Sequence, residues 1–304
     1  MATRDVIMPQ TTDDVPPVVR TIGIADLKDV LTKGIDDFRA IPTFAVFLCA
    51  IYPIVALLLF RMAFALDVVP LLYPIAGGLA LVGPVAAIGL YELSRRRELG
   101  LDTFWTHAFD FVHSPSRGAI LVLGLLLLAV LAFWIATAQA IYVAFFGVSE
   151  PASVTSFLNS IFTTPEGWTL VIVGNAVGFL FAALVFVTNV VSFPILLDRN
   201  VGLVGAITTS VRVVQKNPFA MAVWGAIIAG ALVLGALPLL IGLALVLPVL
   251  GHATWHLYRR VIEPDPHPRP EYHPRSRGIS YGAQFPWSIF QPYRPKGEED
   301  GKDR

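Results

Sequence analysis

The sequence predicts an all-α polytopic membrane protein with six transmembrane helices and three cytoplasmic interfacial amphipathic helices. Three observations predict it. The 304 residues are 55% hydrophobic and only 14% charged, against about 25% charged in soluble domains. Mean hydropathy is +0.68. Long uncharged runs alternate with loops that carry nearly all the cations. Soluble, disordered and collagenous classes are excluded, because too little polar surface exists to cover a water-soluble globule.

A membrane helix needs about 20 apolar residues. The runs that supply them are 43–66, 69–93, 118–146, 167–197, 219–236 and 238–258. The last two share one uncharged stretch, divided at Gly235 and Pro238, because proline breaks the helical ladder. A five-span reading, with one long final helix, is the competitor.

Orientation follows from the cations. The N-terminal arm, the second and fourth connections and the tail hold 21 of the 22 Lys and Arg residues. The positive-inside rule then puts both termini in the cytoplasm. Arg61, the exception, sits near the outer end of the first span and can snorkel to the headgroups. Residues 1–22 read as a disordered arm with no cleavable leader. Residues 147–166 read as an outer loop. Residues 263–304 hold eight prolines with interleaved aromatics and read as a poorly ordered cytoplasmic tail. Its aromatics are candidate anchors for a protein partner.

Three segments precede a span in the same way: 23–42, 100–115 and 202–218. Each starts at Gly, ends at Pro and places apolar residues three and four apart. In the first, Ile24, Leu27, Val30, Leu31, Ile35 and Phe38 form the expected apolar stripe, and Asp26, Lys28, Asp29, Lys33, Asp36 and Asp37 the solvated face. Such helices lie in the interface. The expected unit is an interfacial helix and a two-span hairpin, used three times as a threefold internal repeat.

Candidate site residues gather at the inner ends of the even-numbered spans: Glu92, Arg95 and Arg96; Asp198 and Arg199; His252, His256 and Arg259. Glu92 and Arg96 are four apart and can pair. One reading is a cytoplasmic mouth that binds an anionic headgroup or a partner; the other is ordinary interfacial anchoring. His252 and His256 share a helix face, as do His107, Asp110 and His113, so both histidine sets are weak metal candidates. No cofactor is expected. On the fourth span, Asn175, Asn189 and Ser192 share a face with Gly178 and turn inward, for packing or for a solute path. Gly174 and Gly178 form a GxxxG step. No P-loop, Gly-x-Ser-x-Gly or His-Glu-x-x-His pattern occurs. The single cysteine, Cys49, excludes an internal disulfide, and the zero net charge argues against a nucleic-acid partner.

Residues 83–96 (GPVAAIGLYELSRR) and 192–199 (SFPILLDR) resemble signatures of a bacterial integral membrane family called domain of unknown function 2189. Residues 251–260 (GHATWHLYRR) and 36–39 (DDFR) are similar to its closing and opening steps. The resemblance extends over roughly 20–262. It implies a multi-span protein of the bacterial inner membrane and no more, with no activity to carry over; membrane lipids are separately the partners expected. The function expected is therefore non-enzymatic, organising or accessory; the alternative is a transporter or channel for a small or lipidic solute.

Overall fold

The computed structural model describes residues 16–41, 69–148, 153–238 and 242–264, with Ile54, Leu57 and Arg61 between the first two stretches. The described residues form eleven α-helices and no β-strand. The first span, apart from those three positions, and the Pro-rich tail beyond 264 lie outside them.

Helix α1 (Ile24–Ala40) buries Leu27, Val30, Gly34 and Asp37. The spacing is three, four, three, so one stripe faces the protein. It is the expected stripe only in part: Leu27 and Val30 belong to it, but Ile24 and Ile35 are exposed and Asp37 lies inside. The described end of the N-terminal arm is extended and held by backbone bonds. Val19 bridges Ile262, Arg20 N donates to Val261 O at 2.7 Å, and Ile22 N donates to Asn217 Oδ1 at 2.8 Å.

The expected second span is divided into α2 (Leu72–Leu81), α3 (Gly83–Ala86) and α4 (Ile88–Glu98). Pro84 has no N–H to give to the preceding turn, which explains a break there. The basic triplet Arg95, Arg96 and Arg97 closes α4, where the helix dipole favours cations. The segment 100–115 is a 3-10 helix over Trp105–His113 rather than an α-helix.

Helix α5 (Arg117–Phe146) has no charge after its first residue and ends at Gly147, whose φ of +77° suits glycine. The loop beyond contains α6 (Val154–Thr163), capped by Ser153, whose side chain accepts from Ser156 N. Helix α7 (Pro165–Asn189) opens on Thr164 as cap and Pro165 in the first turn. Helix α8 (Ser192–Asp198) continues it after a two-residue turn. Then come α9 (Gly202–Lys216), α10 (Pro218–Ala236) and α11 (Leu243–Val261). The stretch 219–258 is thus two helices.

Three of these runs are long and apolar enough to cross a membrane: α5, the α7–α8 run Pro165–Asp198, and α10. Their surfaces expose Leu121 (64%), Phe179 (71%) and Leu234 (68%). Large apolar side chains so exposed suit hydrocarbon, not water. Helix α11 is not among the three; it carries His252, His256, Arg259 and Arg260. The main core joins Trp224, Trp255, Tyr258, Phe193 and Met221, all fully buried. It lies where α8, α10 and α11 meet α1 and α4.

Candidate functional site

The expected cytoplasmic-mouth residues form a layer of separate ion-pair and hydrogen-bond clusters. It has two centres, Asp37 and the pair Glu98–Asp198.

Asp37 ends the buried stripe of α1. Its Oδ2 accepts from Ser94 Oγ at 2.5 Å and from His256 Nε2 at 2.9 Å, and its Oδ1 pairs with Arg97. Burial alone would raise the Asp37 carboxyl. The hydrogen bonds from His256 and Ser94, helped by attraction to His256 and His252, outweigh it and hold the group below its usual range. Ser94 Oγ also lies 2.7 Å from Nδ1 of His252. A hydroxyl has one proton, and Ser94 gives it to the carboxylate. Nδ1 of His252 is then the donor to Ser94, which leaves Nε2 as an acceptor; that atom is buried and has no partner.

At the second centre, Asp198 Oδ2 accepts from Tyr258 OH at 2.6 Å and lies 3.5 Å from Arg259 Nη1 and 3.9 Å from Arg199 Nε. Glu98 accepts from Trp255 Nε1 at 3.0 Å and pairs with Arg259 at 2.7 Å. Glu92 pairs with Arg95 in a bidentate contact at 2.7 and 2.8 Å. Burial would lower Arg95, but the bond and charge of Glu92 raise it. The expected Glu92–Arg96 pair is not formed: Arg96 turns to Asp110 at 3.2 Å and to the carbonyl of Asp102 at 2.6 Å. Arg199 donates to the carbonyl of Glu263.

The histidines do not converge. His107 is bound to Asp110 at 2.8 Å and lies 3.4 Å from Asp102, while His113 is exposed. His252 and His256 face Ser94 and Asp37 instead. Among the described residues, no group of three or more His, Cys, Asp or Glu is arranged to hold a metal ion.

On the α7 face, Asn175 accepts from Tyr73 OH at 2.7 Å. Asn189 is buried, and Ser192 donates to Thr188 O and Ala206 O at 2.6 and 3.1 Å. Gly178 lies against the Trp134 ring, whereas Gly174 faces open space, so only one glycine of the GxxxG step makes a close approach within the chain.

Residues 72–198 match the family model DUF2189, described as a predicted integral membrane protein. It is the family that the sequence motifs resemble. The DUF2189 match contains 83–96 and all of 192–199 except Arg199, and it does not extend to 36–39 or 251–260. Glu92, Arg95, Arg96 and Asp198 therefore lie inside it; Asp37, His252, His256 and Arg259 lie outside. No curated protein and no solved structure matches the chain.

Sequence reasoning missed Asp37, Ser94, Arg97, Glu98 and Tyr258 as members of this layer. One signal was available: Asp37 continues the spacing of Leu27, Val30 and Gly34.

Proposed function

We propose that the chain is a non-enzymatic protein of the bacterial inner membrane that organises or assists other membrane components. It binds lipid headgroups or partner subunits on its cytoplasmic face. In this reading the chain crosses the membrane six times with both termini inside, α11 is the sixth crossing, and the Pro-rich tail offers aromatic anchors to a protein partner. The unit of interfacial helix and hairpin is repeated. Support for the repeat comes from Gly100 and Gly202, which open the second and third units with the same φ of +68°. Gly23, at the first, has φ −113°, so the likeness is closest between two units.

The observation that carries the reading is this polar layer. Side chains of α1, α4, α8 and α11 satisfy one another through Asp37, Glu92, Glu98 and Asp198. Such a layer fixes the helix ends as a platform, and Arg39 and Arg117 stay exposed at its margins for anionic groups. Affinity purification of the full chain in mild detergent tests this. An anionic lipid or a partner subunit should copurify; recovery of the chain alone would overturn it.

A transporter or channel is the second reading. The Tyr73–Asn175 bond between α2 and α7 favours it, because it places a polar pair among apolar helices. Solute flux in proteoliposomes, lost in Asn175→Ala without loss of folding, would support it.

A further inference from the structure

Helix α6 joins the two longest apolar helices, α5 and α7, and its residues fall into three groups around its axis. Phe157 turns to the protein. It is buried, with its ring 6.0 Å from that of Tyr142 and 6.1 Å from that of Phe146, at the end of α5. Ile161, one turn on, is half-buried. Val154, Leu158 and Phe162 continue the same apolar arc, which spans about 140° at 3.6 residues per turn. These three are exposed, Phe162 by 62%. Thr155, Asn159 and Thr163 form the remaining face and are also exposed. Half of the apolar arc is thus seated on α5, and the other half is open.

The junction with α7 fixes which way the open half points. Thr164 is extended; its Oγ1 donates to Ser160 O at 2.7 Å and accepts from Gly167 N at 3.0 Å. A Cβ at position 167 would stand 2.3 Å from Ile161 O, so α6 folds back closely on the first turn of α7. Phe162 meets the Trp168 ring edge-on at 6.4 Å, and Trp168 Nε1 donates to Phe162 O at 3.2 Å. Trp168 is itself 52% exposed, and Ile172 and Phe179 carry the exposed strip on along α7. The open face of α6 therefore runs unbroken into the face that a membrane-crossing helix turns to hydrocarbon. That continuity names the occupant: the same bilayer. Tyr142 and Trp168 stand at the level where such aromatics gather, at the edge of the hydrocarbon. Residues 151–165 carry no charge, so apolar area and not attraction to anionic headgroups must hold α6 there.

We propose that α6 is a lipid-seated interfacial helix in the leaflet where α5 ends, opposite Arg117. Val154, Leu158 and Phe162 enter the acyl-chain boundary, while Thr155, Asn159 and Thr163 face water. The contact is independent of headgroup charge. It rests on α5 and α7 crossing the membrane, not on the headgroup binding proposed for the other face.

The test places a nitroxide spin label at Leu158→Cys, Phe162→Cys, Asn159→Cys or Thr163→Cys of the full chain carrying Cys49→Ala, in bilayers. Collisions with oxygen, which concentrates in hydrocarbon, should exceed those with a water-soluble nickel chelate at 158 and 162. The order should reverse at 159 and 163, a switch between the neighbouring positions 158 and 159. Bilayers of phosphatidylcholine and of phosphatidylglycerol should give the same pattern. Nickel in excess at 158 and 162 would put that face in water. Access by neither reagent would put it under protein, a second copy included. A pattern seen only with phosphatidylglycerol would make charge the driving force. Each of these results overturns the proposal. The chain with no substitution supplies a second measurement should Cys49→Ala fail to fold: an apolar photoreactive diazirine dissolved in the bilayer should label Leu158 and Phe162, and label absent from both would overturn the proposal as well.

Discussion

Gly34 of α1 meets Ala253 of α11 with no room for a side chain. A Cβ at position 34 would stand 2.7 Å from both the Cβ and the backbone N of Ala253. Ala253 is fully buried and its backbone belongs to a helix, so neither atom can yield cheaply. Gly34→Val should therefore push α1 off α11 and destabilise the fold by about 1–3 kcal/mol, the usual cost of overpacking. Thermal unfolding in detergent measures it; an unchanged midpoint would mean that α1 is not seated against α11.

That contact brings Asp37 into the interior one turn later, where Ser94, His256 and Arg97 converge on it. Asp37→Ala would leave three polar groups without their shared acceptor. The loss should be on the order of 3 kcal/mol, as for other buried ion pairs broken on one side. Asp37→Asn keeps the shape and one acceptor oxygen, so its loss should be smaller. If the alanine and asparagine variants unfolded alike, charge rather than shape would govern this corner.

The same carboxylate gives a pH dependence with a definite sign. Asp37 titrates from 3.8 in the free side chain and lower in the folded chain. A depressed folded pKa contributes stability that is complete above 3.8 and declines as pH falls through the folded value. Unfolding measured from neutral pH downward should therefore show an acid loss below about pH 4 that Asp37→Asn reduces. An acid limb of the same depth in both proteins would place the titrating group elsewhere.

Long uncharged runs and their boundary residues made several elements legible in the sequence. Helices α5, α7, α9 and α10 begin within two residues of the expected positions, because Arg117, Pro165, Gly202 and Pro218 mark those starts. The division of the second span was not legible: its hydropathy is continuous across Pro84, and only the backbone geometry of Pro shows the break. The site was half legible. Charges at helix ends identified Glu92, Asp198 and Arg259, since a cation at a helix C-terminus is a local signal. Glu92 finds its partner three residues on, at Arg95, but the partners of Asp198 and Arg259 were not local. Glu98 meets Trp255 and Arg259, and Asp198 meets Tyr258, across sixty or more residues. Asp37 was assigned to the solvated face because its charge outweighed its spacing; the small Gly34 in the same stripe hid how closely α1 approaches α11.

Trp134 wedges between two helices through glycines, and this separates two readings of the GxxxG step. Its indole Nε1 donates to Pro74 O at 2.8 Å, and its ring fills the space beside Gly78 of α2 and Gly178 of α7. A Cβ at 178 would stand 3.0 Å from Cη2 of the ring, whereas a Cβ at 174 would meet nothing within 4 Å. Gly178→Val should thus cost about 1–3 kcal/mol. Trp134→Phe in the same chain should recover part of that loss by shortening the ring. Gly174→Val should change stability by no more than about 0.5 kcal/mol, as for sites without special contacts. If the step served instead to bring a second copy of α7 close, both valines would weaken association, and chemical crosslinking of the purified protein would report equal losses at 174 and 178.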